Sequence, residues 1–381
     1  MKFITYEKRM YRIHDQLTYI SRRNQKLKEN PYLSSVLSDL SNINIELDNN
    51  LQNMLLEAIE ELSKLDGFIK DKLNGFPMIV LRSESLSSTQ IEHYNASNRN
   101  IAQAQIMPTT NKETNIIKNN LESLVLFLEE DNKIDRDTIV KINSKVMNDE
   151  GVDIRTEVNW IGKSNSIPHT ADFVPPHPEH LEKNINEFIK FCKRDDIHPL
   201  LQAAFAYAYF ETIHPFIDGN GRTGRILIQV LLKEKGYLDE LHVPFSMGLI
   251  KNNQRHIEAL NEFRKGNYNS IIELFLENSL AVVPLIYNTL NELINIKNSW
   301  LSKVSARSDA LVWDIIDELI YQPVISVNYI KDKYKANDQA VRNNFNILEE
   351  ANIISKIGNS KRNVMYEAKE VITIIDELTL N

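Results

Sequence analysis

Twelve residues, "HPFIDGNGRTGR" from His214 to Arg225, constrain this chain more than any other stretch. They follow "LLQAAFAYAYFETI", whose alanines and aromatics predict a helix buried on most sides, and precede the strongly apolar "ILIQVLLKEKG", with Gly236 placed as a C-cap. The polar stretch therefore links two core helices. An isolated Asp-Gly-Asn-Gly is most simply a turn with solvated arginines beside it. Here His, Asp, Asn and two Arg converge between apolar helices, and that favours a catalytic loop.

The residue types fit phosphate chemistry. Gly219 and Gly221 flank Asn220, so the backbone can take left-handed conformations and turn its amides inward. Such a nest at the N-terminus of a helix beginning near Arg222 attracts an anion through both amides and dipole. Arg222 and Arg225, three apart, share one helix face and can present their guanidinium groups to that anion. Asp218 is placed to hold Mg2+, which prefers one carboxylate with phosphate oxygens and water. His214, at the end of the preceding helix, can take a proton from an attacking hydroxyl near neutral pH.

Position by position, the stretch resembles the signature of the Fic family, His-Pro-Phe-x-Asp-Gly-Asn-Gly-Arg-x-x-Arg, without departure at its defining residues. The resemblance implies an enzyme that transfers AMP from ATP to a Ser, Thr or Tyr hydroxyl of a protein. It implies His214 as the base, Asp218 as the Mg2+ ligand, and Gly219, Asn220, Gly221, Arg222, Thr223, Gly224 and Arg225 as the nucleotide-binding set. Phosphotransfer or removal of AMP on the same scaffold, and a regulator that only senses nucleotide, are the rival readings.

Family members carry a hairpin flap upstream that docks the target by strand addition, and "NWIGKSNSIPHTADFVPP" is similar to it. Arg155, Trp160, Ile161, Gly162, Phe173, Val174, Pro175 and Pro176 match that pattern, with Ile161, Gly162, Phe173 and Val174 as the docking residues. "GKS" at Gly162–Ser164 is no Walker A motif, since Glu157 stands where a Gly is needed. His177 and His180 of "HPEH" read as loop histidines without a third metal ligand nearby. "FSMGLIKNN" is similar to the family's adenosine-contacting segment and would put Asn252 near the base, although His256 and Ile257 replace the usual aromatic pair.

"LSSTQIEH" places Ser88 and Glu92 at the spacing of the family's inhibitory helix, Ser/Thr-x-x-x-Glu-Gly/Asn. The resemblance implies that Glu92 reaches Arg225 and competes there with the ATP γ-phosphate. His93 stands where Gly or Asn is expected.

Composition sets the frame: 42% hydrophobic and 25% charged residues, with only 11 Gly and 12 Pro, predict a mostly α globular protein. The expected architecture is an all-helical Fic core with a small β-hairpin flap and a C-terminal winged helix-turn-helix domain. The divisions are an N-terminal helical region with the inhibitory helix (1–110), the catalytic core (111–280), a linker helix (281–305) and the winged-helix domain (306–381). In the last, "NDQAVRNNFNILEE" is the recognition helix, offering Arg342, Asn343 and Asn344, and the wing offers Lys356, Lys361 and Arg362. Yet residues 307–381 hold nine Lys or Arg against twelve Asp or Glu, so DNA binding and a protein-interaction role stay balanced.

The net charge of -8 argues against a generic nucleic-acid or membrane-surface binder, and no uninterrupted apolar run reaches membrane-spanning length. A single cysteine, Cys192, fits a reducing cytoplasm and reads as a buried structural thiol. The expected partners are ATP and a protein target with an accessible hydroxyl; self-modification and a homodimer stay open.

Overall fold

The computed structural model describes the chain except residues 1, 12–26, 28, 71, 131, 164–166, 359–362 and 381. In chain order come β1 (Ile4–Met10), β2 (Pro31–Leu37), α1 (Asn49–Ile69), α2 (Phe76–Ile91), α3 (Asn98–Ile106), α4 (Lys112–Glu129) and α5 (Arg136–Met147). A 3-10 turn (Pro168–Thr170) precedes α6 (Pro178–Cys192), α7 (Pro199–Ile213), α8 (Asn220–Glu234), α9 (Phe245–Lys251), α10 (Asn253–Lys265) and α11 (Asn269–Lys303). The chain ends with α12 (Leu311–Tyr321), β3 (Val324–Ser326), α13 (Val327–Tyr334), α14 (Asp338–Glu350), β4 (Ser355–Ile357), β5 (Met365–Glu367) and α15 (Lys369–Leu380). The fold is mostly α with small antiparallel sheets, as the composition predicts.

Two compact units form. The first comprises Met1–Asn53, Glu130–Tyr237 and Asn253–Phe275. Its centre is α7, in which every residue from Leu200 to Ile213 is buried. α8, α6 and α10 pack on it, and α5 packs on α8. Phe188, Phe191, Phe205 and Tyr209 fill the spaces between α6 and α7 with tilted and edge-on ring pairs, ring centroids 4.8 to 6.4 Å apart.

The N-terminus departs from the helical region expected for residues 1–110. β1 and β2 pair antiparallel, from Ile4 opposite Leu37 to Met10 opposite Pro31. "FITYEKRM" is rich in β-branched and aromatic residues, and Pro31 sits at a strand start, where no ladder donor is needed. β2 also meets the flap segment: Ser35 N donates to Val174 O at 3.1 Å and Ser34 Oγ to Pro175 O at 3.1 Å. Pairing between segments so far apart in the sequence leaves no local signal in either of them.

The second unit comprises Met54–Glu129, Leu238–Asn252 and Leu276–Asn381. Its centre is α2, packed against α4 and α9 and buried from Met78 to Thr89. Glu84 of α2 accepts from Ser246 N at 2.8 Å and from Ser246 Oγ at 2.5 Å, so a buried carboxylate caps the start of α9. Buried Arg82 donates to Gln105 Oε1 at 2.8 Å and, at 3.3 Å each, to Tyr321 O and Gln322 Oε1, which ties α2 to α3 and to the end of α12.

At the C-terminus, α12, α13 and α14 accompany a three-stranded antiparallel sheet in the order β3-β5-β4. β3 adds a strand that the sequence reading does not contain. "VIS" is too short to show a period, and only its pairing with β5 makes it a strand. Lys361 and Arg362, expected in the wing, lie outside the described residues. Lys356 pairs with Glu349 at 3.1 Å. α11 has a window apolar enough to cross a membrane, with mean hydropathy 1.5, and 56% of that window is buried inside the protein, as in a core helix.

Candidate active site

The site is built where α7 ends and α8 begins. α7 stops because His214 takes a left-handed conformation (φ 50°, ψ 60°), its N–H still bonding Phe210 O at 2.9 Å. A non-glycine residue held there is strained, and the surroundings must enforce it. Arg155 does so. Its Nε donates to His214 O at 2.9 Å, its Nη1 to Glu157 O at 2.9 Å and its Nη2 to Pro176 O at 2.7 Å, while its own N–H bonds Pro215 O at 2.9 Å. One buried guanidinium thus clamps the motif loop to both sides of the flap.

The loop's second fastener is Asn220. Its Oδ1 accepts from Phe216 N at 2.9 Å and its Nδ2 donates to Phe216 O at 2.9 Å, and the side chain is buried. The resemblance implies that Asn220 holds phosphate. In the structure its amide is engaged at both ends by the loop backbone, so it shapes the cradle.

Gly219 is the N-cap of α8, in the left-handed region (φ 76°). A Cβ there would come 2.8 Å from Met147 Sδ and 2.9 Å from Asn143 Nδ2, so the close approach of α5 also demands glycine. Asn143 donates to Asp218 O at 3.0 Å and to Thr223 Oγ1 at 2.9 Å, fixing the loop on α5. The amides of Asn220, Gly221 and Arg222 open α8, where no preceding turn supplies acceptors. Arg222 and Arg225 are both buried. Arg222 Nη2 lies 3.3 Å from Met147 Sδ and 3.9 Å from Asp218 Oδ1. Asp218 is 67% exposed and uses Oδ1 to accept from Gly219 N at 2.6 Å.

The His214 side chain faces Glu211, whose Oε2 is 3.9 Å from Nδ1. Burial and the positive charges of Arg155 and Arg264 push the imidazole down to about 3, opposed by the Glu211 backbone carbonyl. It is therefore neutral at physiological pH. Arg264 lies 4.0 Å over the Phe173 ring, joining α10 to the flap.

The flap is described on both sides of residues 164–166. Ile161 and Phe173 make one antiparallel bridge: Ile161 N donates to Phe173 O at 2.8 Å and Phe173 N to Ile161 O at 3.1 Å. Phe173 and Val174 are buried, Gly162 is exposed, and Ser164 lies outside the described residues. His177 and His180 do meet carboxylates, with His180 Nε2 at 3.1 Å from Glu7 and His177 Nδ1 at 3.4 Å from Glu179. Arg9 bonds both Glu7 and Glu179, so the negative charge of this cluster already has a counter-ion.

Ser88, Glu92 and Asn252 belong to the second unit. Ser88 is buried in the last turn of α2 and Glu92 is its exposed C-cap. The helix ends at Ile91 because His93 adopts φ 66°, the left-handed position that a Gly or Asn fills without strain. Asn252 is the exposed C-cap of α9.

Sequence reasoning missed Asn143, Tyr207, Glu211 and Arg264. Asn143 was the most findable, a polar residue on the apolar stripe of Ile139, Ile142 and Val146.

Over residues 133–232 the chain matches the model of the Fic/DOC family. It is similar to the protein adenylyltransferase Fic of Nematostella vectensis, 30% identical over 162 residues that make up 39% of this chain and 36% of that protein. It is also similar to a probable protein adenylyltransferase of Aquifex aeolicus, 34% identical over 105 residues, 27% of this chain and 30% of that protein. The chain thus spans about a third of the length of these curated relatives. Among solved structures, a Fic family protein from Desulfovibrio desulfuricans shares the fold, with a TM-score of 0.56 and 17% identity over 85% of this chain and 97% of that one.

Proposed function

We propose, from the premise that residues 133–232 are a Fic/DOC family domain, that this chain is a protein adenylyltransferase, moving AMP from ATP to a hydroxyl side chain of a protein target. The observation that carries the reading is the pairing of a neutral, strained His214 with a glycine-capped α8 N-terminus backed by buried Arg222 and Arg225.

The parts divide the work. Anions favour the N-terminus of α8, so the triphosphate lies along the Gly219–Arg222 backbone with the two arginines on its charge. The Glu211 carboxylate faces Nδ1 of His214 at 3.9 Å, which leaves Nε2 to take the proton as the target oxygen attacks the α-phosphorus and pyrophosphate leaves. Asp218, a single exposed carboxylate at the mouth of the loop, suits Mg2+, which would supply charge neutralisation on the phosphates when bound. The flap bridge at Ile161 and Phe173 offers main-chain edges for a target segment.

Glu92 is the brake in this reading, held at the end of α2 and withdrawn when the enzyme acts. The three helices and the β3-β5-β4 sheet at the C-terminus are a winged-helix regulatory module.

The test is incubation of the Glu92→Gly protein with α-labelled ATP and cell lysate or the protein itself, with His214→Ala as control. Label on protein that depends on His214, and an added mass of AMP rather than phosphate, supports the reading. Label absent from every protein, or retained by His214→Ala, rejects it.

A further inference from the structure

We propose that His256 is a positioning residue for Arg225, acting through the hydroxyl of Tyr207. The inference rests on the nucleotide-binding reading of Arg225 and deepens it. Arg225 Nη1 donates to Tyr207 Oη at 3.4 Å, and the same oxygen lies 2.9 Å from His256 Nε2. The Tyr207 and His256 rings stack at 5.7 Å and 26°, and Phe275 closes on Tyr207 at 5.5 Å. All three polar side chains are buried: Arg225 is 2% exposed, Tyr207 1% and His256 4%.

Three elements supply this chain, α7 for Tyr207, α8 for Arg225 and α10 for His256. Gly224 lets them meet. A Cβ at that position would come 3.1 Å from Phe210 Cδ1 and 3.6 Å from Tyr207 Cδ2, so a side chain there would require the Phe210 ring to give by a few tenths of an ångström just beside Arg225.

The hydroxyl can serve both neighbours. Arg225 donates to the oxygen, and the hydroxyl's own proton can be directed at Nε2 of a neutral imidazole. Burial, with the charges of Arg225 and Arg264, pushes His256 down to about 3, so the imidazole is neutral, and in the tautomer that carries its proton on Nδ1 the Nε2 accepts. A phenol whose proton is held elsewhere presents its lone pairs to the guanidinium. Arginine is a long side chain that loses rotamer freedom on gripping a phosphate, and an acceptor already in place removes part of that cost.

The competing role for His256 is contact with the nucleotide base, and ATP against ADP separates the two. In the Glu92→Gly protein, Kd for ATP and ADP with Mg2+ is measured by titration calorimetry. His256→Phe should weaken ATP about fivefold to tenfold, leave ADP within about twofold, and have no further effect in an Arg225→Ala background. His256→Gln, which restores an acceptor, should recover ATP affinity, and Tyr207→Phe should reproduce the ATP-selective loss even where His256→Phe unfolds the protein. Equal losses for ATP and ADP, additivity with Arg225→Ala, or no loss would overturn the proposal. Binding of neither nucleotide by the Glu92→Gly parent would overturn both this inference and the functional reading; a parent that binds ATP without the predicted split overturns this inference alone.

Discussion

Arg155 holds His214 by its backbone: Nε donates to the His214 carbonyl at 2.9 Å while the guanidinium reaches two further carbonyls of the flap. The strained left-handed histidine and the flap are thus one mechanical unit, made by a residue 59 positions upstream.

Arg155→Ala would leave one buried and two part-buried carbonyls without their donor. Each such loss costs about 1–3 kcal/mol before relaxation, so the expected destabilisation is about 2–4 kcal/mol, read as a lower denaturant midpoint. Arg155→Lys should recover little, because an ammonium cannot reach all three oxygens from one position.

Asn220→Ala should separate shape from charge. It removes the two bonds to Phe216 and leaves both arginines, the Asp218 carboxylate and His214 in place. A misplaced cradle lowers transfer on the order of a hundredfold. Labelled-ATP turnover that stays near the parent level would show that Asn220 does not set the loop.

The two buried histidines predict an acid dependence. His214 and His256 sit at about 3 in the fold against an ordinary value of 6.5. Between those values the unfolded chain binds protons that the folded one refuses. Stability is therefore full above pH 6.5 and falls as pH falls through that window. Melting temperature against pH should show this decline, and His256→Gln should flatten it. Transfer should lose nothing to His214 protonation between pH 8 and 5, where an ordinary histidine would be half protonated near 6.5.

His93→Gly tests the end of α2. Relief of a left-handed non-glycine residue at φ 66° is worth about 1 kcal/mol, seen as a raised midpoint. If Glu92 restrains the enzyme, Glu92→Gly should raise AMP incorporation, whereas His93→Gly should leave the restraint intact. No gain from Glu92→Gly with His214 present would reject autoinhibition.

Much of the site was legible in the sequence because its residues are adjacent along the chain. The span from His214 to Arg225 specifies a cap, a glycine N-cap and a helix within one local stretch, and local backbone chemistry decides such features. The all-round apolar character of α7 and the strongly apolar run of α8 likewise predict two core helices, and the two pack on one another.

What the sequence could not show was where the side chains act. Asn220 reads as a phosphate ligand until its amide is seen tied to Phe216, and Arg155 reads as a flap residue until it is seen on His214. His256 reads as a departure from an aromatic pair until Tyr207 is found against it. The β1–β2 pair becomes part of the flap's support only through pairing at Val174. The sequence by itself determined the helices, the loop chemistry and the identity of its charges, since these follow from local backbone preference and residue type. Tertiary structure alone decided which donors meet which acceptors, because a hydrogen bond depends on ångström-scale distances between segments that the chain order does not record.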